Sequence, residues 1–125
     1  MADVMIVDDE ALVLFDLVMT VEDLGYGVHS ESTTIEDAIS AIEAGSPPDV
    51  ALLDIDVGGS PVWPLARKIV EHGRPVVFVS ANLNHEELRE EFASCGRIDK
   101  PASPNEIAAA IAGALTRTSA IASLG

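Results

Sequence analysis

Val50-Ala51-Leu52-Leu53-Asp54 decides how the chain is read: four apolar residues in succession, closed by a carboxylate. Unbroken apolar character over four positions marks a strand buried on both faces, the kind found in parallel sheets. Three other runs have the same form. Met5-Ile6-Val7 precedes Asp8-Asp9-Glu10, Val76-Val77-Phe78-Val79 precedes Ser80, and Ile98 precedes Asp99-Lys100-Pro101. Val28 to Ser30 adds an edge-like strand. Between the strands lie segments of helical character. Ala11 to Leu24 is closed by Gly25, Ile35 to Ala44 has Thr34 as its N-cap, and Pro61 opens a helix running to about Glu71. Asn84 with Glu87 offers a cap for a helix bearing Leu88 and Phe92, and Pro104 to about Leu115 forms the last helix.

Five strand and helix pairs in alternation predict an α/β domain with a doubly wound parallel sheet, because every parallel connection needs a crossover. Ligands of such sheets lie beyond the carboxyl ends of the strands. That edge is where Asp9, Asp54, Ser80 and Lys100 fall.

At 125 residues the chain is expected to form one domain, residues 1–118, with a short C-terminal tail, residues 119–125. Its formal charge is −14, from 21 acidic and 7 basic residues, and no basic cluster exists to neutralise phosphates. Direct nucleic-acid binding and attachment to anionic membranes are therefore disfavoured. No apolar stretch is long enough to span a bilayer. The single cysteine, Cys95, cannot form an internal disulfide. A cytoplasmic protein is expected.

Three acidic groups brought together raise one another's pKa unless a cation lies among them, and Mg²⁺ suits an oxygen-only donor set. Asp9 and Asp54 are the expected carboxylate ligands, with Asp8 direct or through water and the backbone carbonyl of Asp56 a further candidate. Asp54 is then the nucleophile toward a phosphoryl group, while Lys100 and Ser80 supply a charge and a hydroxyl to phosphoryl oxygens.

These pieces resemble the receiver domain of bacterial two-component response regulators: Asp8-Asp9-Glu10 after the first strand, Asp54 after the third, Ser80-Ala81 after the fourth and Lys100-Pro101 after the fifth. The resemblance covers nearly the whole chain. It implies a flavodoxin-like (β/α)5 fold with strand order 2-1-3-4-5, and a cis peptide between Lys100 and Pro101. It also implies a phosphoryl group passed to Asp54 from a sensor histidine kinase or histidine phosphotransfer protein, in a domain that catalyses its own modification and signals by protein binding or phosphorelay. A homodimer is compatible with the sequence. Two departures stand out. The aromatic usual three residues before the lysine is replaced by Arg97, and the usual Met-Pro step after the phosphoacceptor by Val57-Gly58-Gly59-Ser60-Pro61. With Phe78-Val79-Ser80-Ala81-Asn82, these resemble a subgroup of stand-alone receivers frequent in alphaproteobacteria.

Asp56 and Asn82, each two residues beyond a site residue, are expected to tune the lifetime of the phosphorylated form. In the first helix Val13, Leu17, Val21 and Leu24 form the expected core stripe. Leu14, Phe15 and Val18 are left as a candidate partner surface, or as side chains packed under neighbouring loops. His29, His72 and His85 do not pair at ligand spacing and are expected to face solvent, and Trp63 to pack at a helix start. Two other functions remain in view. Leu52-Leu53-Asp54-Ile55-Asp56-Val57 also resembles the nucleophile motif of haloacid-dehalogenase-type phosphatases, and a receiver-like fold can serve as a phosphorylation-independent binding module.

Overall fold

The computed structural model describes residues 1–124, with side chains as far as Arg117. Five parallel strands form the main sheet: β1 (Asp3–Val7), β2 (Gly27–Ser32), β3 (Val50–Leu53), β6 (Val76–Ser80) and β7 (Gly96–Asp99). They lie in the order β2-β1-β3-β6-β7. Counting only these five, that is the expected order 2-1-3-4-5. A second, two-stranded element, β4 (Asp56–Val57) paired antiparallel with β5 (Ser60–Pro61), follows β3. Five helices complete the chain: α1 (Ala11–Asp23), α2 (Ile35–Glu43), α3 (Trp63–Glu71), α4 (Glu86–Arg89) and α5 (Pro104–Leu124).

Alternation along each central strand divides the apolar residues into two cores. Met5, Val7, Ala51, Leu53, Val76 and Phe78 face α2, α3, α4 and the turn after α4, where Ile35, Ala38, Leu65, Ile69, Leu88 and, in that turn, Phe92 complete one cluster. Val4, Ile6, Val50, Leu52, Val77 and Val79 face α1 and α5, meeting Leu17, Val21, Ile107 and Ile111. Each strand thus feeds both layers, which is why it reads as an unbroken apolar run.

Several local expectations change. The helix expected from Pro61 begins at Trp63, with Pro64 in its first turn, because Pro61 is taken up by the hairpin. Gly58 and Gly59 form its two-residue loop with φ of 62° and 83°, a conformation suited to a tight hairpin and accessible to glycine. Thr34 caps α2 through a bond from the Asp37 N–H, as expected. Asn84 does not cap α4, whose N-cap is His85. Instead the Asn84 side chain accepts a hydrogen bond from Arg89 at 2.8 Å. At α5 a reciprocal capping box joins Ser103 and Glu106. That helix runs on to Leu124, through the segment read as tail, since no glycine or proline interrupts residues 114–124.

The core stripe of α1 is Leu14, Leu17 and Val21. Leu14, expected on the partner surface, is buried, and Val18 is half-buried against the same core, whereas Leu24 is exposed. Leu17 and Val21 hold their expected places and Val13 packs half-buried on the same core, so the stripe departs from 13, 17, 21 and 24 only in taking in Leu14 and losing Leu24. Phe15, left between a partner surface and packing under loops, is exposed, and Leu12 and Met19 join it. Of the histidines, His72 is exposed. His29 is held by Ser30 and by the Ser46 carbonyl, and His85 packs edge-on against Trp63, so neither simply faces solvent. Trp63 itself packs at the start of α3, stacked on Phe92 and edge-on to Phe78.

Candidate functional site

Sheet pairing places the site residues before any side chain is considered. Val7 pairs with Leu53, and the rung beyond it is the Asp54 N–H donating to the Val7 carbonyl at 3.0 Å. Asp8 is tied at the same level by its N–H to the Ser32 carbonyl, 3.1 Å. Ser80 pairs with Asp99, and the Lys100 N–H donates to the Ser80 carbonyl at 3.1 Å. Asp8, Asp54 and Lys100 therefore each stand one step past a strand end, on backbone fixed by the last rung of the ladder.

The side chains converge from there. Lys100 Nζ lies 2.6 Å from Asp8 Oδ2 and 3.2 Å from Asp54 Oδ2. The remaining oxygens are oriented locally: Asp8 Oδ1 accepts from the Glu10 N–H at 2.9 Å, and Asp54 Oδ1 from the Ile55 N–H at 2.8 Å. Asp8 and Asp54 are buried, and the Lys100–Pro101 peptide is cis. Asp9 is exposed, and its Oδ2 accepts from the Gly58 N–H at 3.1 Å, docking the glycine hairpin against the acidic pair.

Burial pushes the Asp54 carboxyl above its ordinary pKa. The Lys100 charge pulls it down, but Asp8 adds to the rise and the net effect is upward. For Lys100 burial acts to lower the pKa, yet the hydrogen bond to Asp8 and the charges of Asp54 and Asp8 outweigh it, and the ammonium titrates higher than usual. Asp8, Asp9 and Asp54 each present a carboxylate oxygen within 4.8 Å of the others. Three carboxylates against one ammonium leave two negative charges uncompensated, and every donor is a hard oxygen. That donor set fits a divalent ion such as Mg²⁺. The Asp56 carboxylate is not among the clustered acids; Asp56 is exposed at the start of the hairpin.

Ser80 is buried at the same edge, and its Oγ accepts from the Asn82 N–H at 3.3 Å. Asn82 is exposed and its side-chain oxygen accepts from the Asn84 N–H at 3.0 Å, so its side chain is engaged in its own loop. Arg97 points away from the acids. Its Nη2 donates to the carbonyls of Phe92 and Ala93, each at 3.2 Å, and of Cys95 at 3.3 Å, tying the segment after α4 to the start of β7. The glycine hairpin and its bond to Asp9 were missed in the sequence, although Gly58-Gly59 between Asp56-Val57 and Ser60-Pro61 is a hairpin signal.

The model of the response regulator receiver domain matches residues 4–112. The chain belongs to the response regulator receiver family. It is 30% identical over 120 residues to the transcriptional regulatory protein YvrH of Bacillus subtilis (strain 168), covering 94% of this chain and 50% of that protein. The chain therefore spans about half the length of this curated relative. Among solved structures, a response regulator receiver protein from Sinorhizobium medicae WSM419 shares 25% identity with a TM-score of 0.83, covering 94% of this chain and 96% of the other. The response regulator PhyR from Brucella abortus shares 27% identity with a TM-score of 0.79, over 95% of this chain and 49% of that one. Receiver domains are phosphorylatable signalling modules of two-component systems rather than conventional enzymes, and typically bind Mg²⁺ at an acidic pocket. As a family they interact with histidine kinases or phosphotransfer proteins. Among the described residues no helix is long and apolar enough to cross a membrane.

Proposed function

We propose that this receiver accepts a phosphoryl group on Asp54 from a phosphohistidine of a sensor histidine kinase or phosphotransfer protein, and signals by protein binding or by passing the group on. The observation that carries the reading is the Lys100 ammonium shared between Asp8 and Asp54 at the open edge of the sheet. In the transfer a carboxylate oxygen of Asp54 attacks phosphorus, the phosphorus–nitrogen bond to the donor imidazole breaks, and the released nitrogen takes up a proton. The Ile55 N–H holds the carboxylate in a fixed orientation for attack. Asp8, Asp9 and Asp54 would hold Mg²⁺, which when bound offsets the negative charge of the incoming phosphoryl oxygens. Lys100 supplies a second positive charge, and a turn of Ser80 away from the Asn82 N–H gives the phosphoryl group a hydroxyl donor. Asp56 and Asn82 tune the lifetime of the product.

For the donor, the exposed apolar residues Leu12, Phe15 and Met19 recur at spacings of three and four along α1 and so share one face. Beside α1, Val13 and Leu17 line a groove with Lys100, Pro101 and Ala102. A partner helix laid on α1 would approach the acidic edge. Phosphotransfer profiling against the histidine kinases of the host, with Asp54→Asn as control, tests the reading. Rapid labelling by one kinase or phosphotransfer protein, absent in the control, is expected; labelling by none would overturn it.

A further inference from the structure

Asp9 is the acid of the cluster that the lysine does not reach. Lys100 Nζ pairs with Asp8 and Asp54, and among the described residues no ion pair involves Asp9. Its side chain is exposed, and three carboxylates with oxygens within 4.8 Å of one another repel, so an unrestrained Asp9 would turn out to solvent. Among the described residues the hydrogen bond its carboxylate accepts is the one from the Gly58 N–H, 3.1 Å from Oδ2, at the tip of the β4–β5 hairpin. The donor is itself well anchored. Val57 and Val62 are buried in the core beneath the hairpin, Asp56 pairs with Pro61 and Val57 with Ser60, and the Val62 N–H donates to the Ile55 carbonyl at 2.8 Å. Ile55 in turn donates its N–H to Asp54 Oδ1. One short segment thus holds two of the three acids by backbone N–H groups, Asp54 through Ile55 and Asp9 through Gly58. The Met-Pro step usual after the phosphoacceptor could not do this at its proline, which has no N–H to give.

We propose that Gly58 is a positioning residue for the metal site: its N–H holds Asp9 against the repulsion of Asp8 and Asp54, engaging Oδ2 and leaving Oδ1 for Mg²⁺, so that the ligands are gathered before the ion arrives. The inference rests on the Mg²⁺ site proposed above. Losing a hydrogen bond that orients a metal ligand typically weakens the metal about 10–100-fold, and the exposure of Asp9 places the effect here near the lower end, since water replaces part of the bond. The hairpin also begins with Asp56, whose carbonyl is a further candidate ligand, so docking its tip on Asp9 restricts both groups together.

Mg²⁺ alone is titrated into the isotope-labelled full chain, and the shift of the Ile55 amide resonance, whose N–H bonds Asp54 Oδ1, gives the affinity. A Cβ at Gly58 would meet nothing within 4 Å, so substitutions there act through the backbone and its donor rather than through a clash. Gly58→Asn keeps the N–H and suits the left-handed first position of a two-residue hairpin loop, and should bind Mg²⁺ within about twofold of the native chain. Gly58→Pro removes the N–H and should weaken Mg²⁺ about tenfold with a native circular dichroism spectrum. Where the proline variant does not fold, Gly59→Val takes its place: at φ 83° a β-branched residue opens the turn and should weaken Mg²⁺ likewise. In the native chain the Gly58 amide should exchange no faster with Mg²⁺ bound than without it, because ion and N–H share one carboxylate. Native affinity in the folded proline or valine variant, an equal loss in Gly58→Asn, or tighter Mg²⁺ with faster Gly58 exchange would each overturn the proposal while leaving the metal site standing. No Mg²⁺-dependent shift in the native chain would overturn both.

Discussion

Replacing Lys100 by methionine keeps an unbranched apolar stem and removes the ammonium from between two acids. The side chains of Asp8 and Asp54 are 1% and 9% exposed, and that of Lys100 15%, so water cannot fully replace the lost charge. Removing one partner of a buried ion pair costs about 3–5 kcal/mol, and the partial opening to solvent places Lys100→Met at about 2–3 kcal/mol. For a domain of this size that is a fall in Tm of roughly 6–15 °C. In an Asp54→Asn background only Asp8 is stranded, and the cost should drop to about half. The assay is urea unfolding in metal-free buffer at pH 7, followed by fluorescence of the single tryptophan, Trp63, which is buried. The pH dependence has a defined sign. Because the folded pKa of Asp54 is raised by burial, the stability it contributes is present in acid and is lost as pH rises through that folded pKa. Asp54→Asn should therefore gain on the native protein as pH rises through the same range and keep the gain at neutral pH. Lys100, also raised, should show a loss confined to alkaline pH, as its ammonium deprotonates, and Lys100→Met should lack it. A cost for Lys100→Met below about 0.5 kcal/mol, or equal costs in both backgrounds, would refute the charge argument.

Arg97→Ala removes three hydrogen bonds to carbonyls between Phe92 and Cys95 and is expected to cost about 1 kcal/mol, with faster hydrogen exchange at the amides of residues 93–97 and unaltered phosphorylation of Asp54. Slower phosphorylation at unchanged exchange would point instead to a role at the site. Asp56→Asn and Asn82→Ala should each change the half-life of the phosphorylated form by severalfold while leaving its formation intact; identical decay curves for both would remove them as tuning residues. A Leu12→Ser, Phe15→Ser double variant, altering side chains 82% and 61% exposed, should change stability by about 0.5 kcal/mol or less and slow transfer from the cognate donor about tenfold or more. Unchanged transfer would take α1 out of the docking surface.

The central strands were legible because burial on both faces writes itself as unbroken apolar runs, and Asp54 lies one residue beyond such a run, whereas Lys100 lies two residues beyond the lone Ile98 and the strand order came from the family resemblance. The convergence of Lys100 on Asp8 and Asp54 follows from the parallel order together with strand register. The assignment of α1 failed at Leu14 and at Leu24: Leu14 and Val13 are adjacent apolar residues, and periodicity alone does not say which one is covered more fully, while Leu24 falls at the C-cap, past the last helical residue. Hydrogen bonds across long separations left no local trace. The bond from Gly58 to Asp9 spans 49 residues. The bond from Arg97 to Phe92 spans only five, but it depends on how α4 ends. The short α4 was obscured because its four residues are followed by turns, so Leu88 and Phe92 suggested a longer periodic helix than forms.

The central claim is that Asp54 is the phosphoacceptor and that the acidic edge needs a divalent ion to act. The direct measurement is intact-mass and peptide mapping after incubation with phosphoramidate, a small donor with the phosphorus–nitrogen bond of phosphohistidine, with Mg²⁺ or with EDTA. A single phosphoryl group on the peptide containing Asp54, dependent on Mg²⁺, labile to hydroxylamine and absent from Asp54→Asn, is the predicted result. Modification at another residue, an unchanged yield in EDTA, or equal labelling of Asp54→Asn would contradict it.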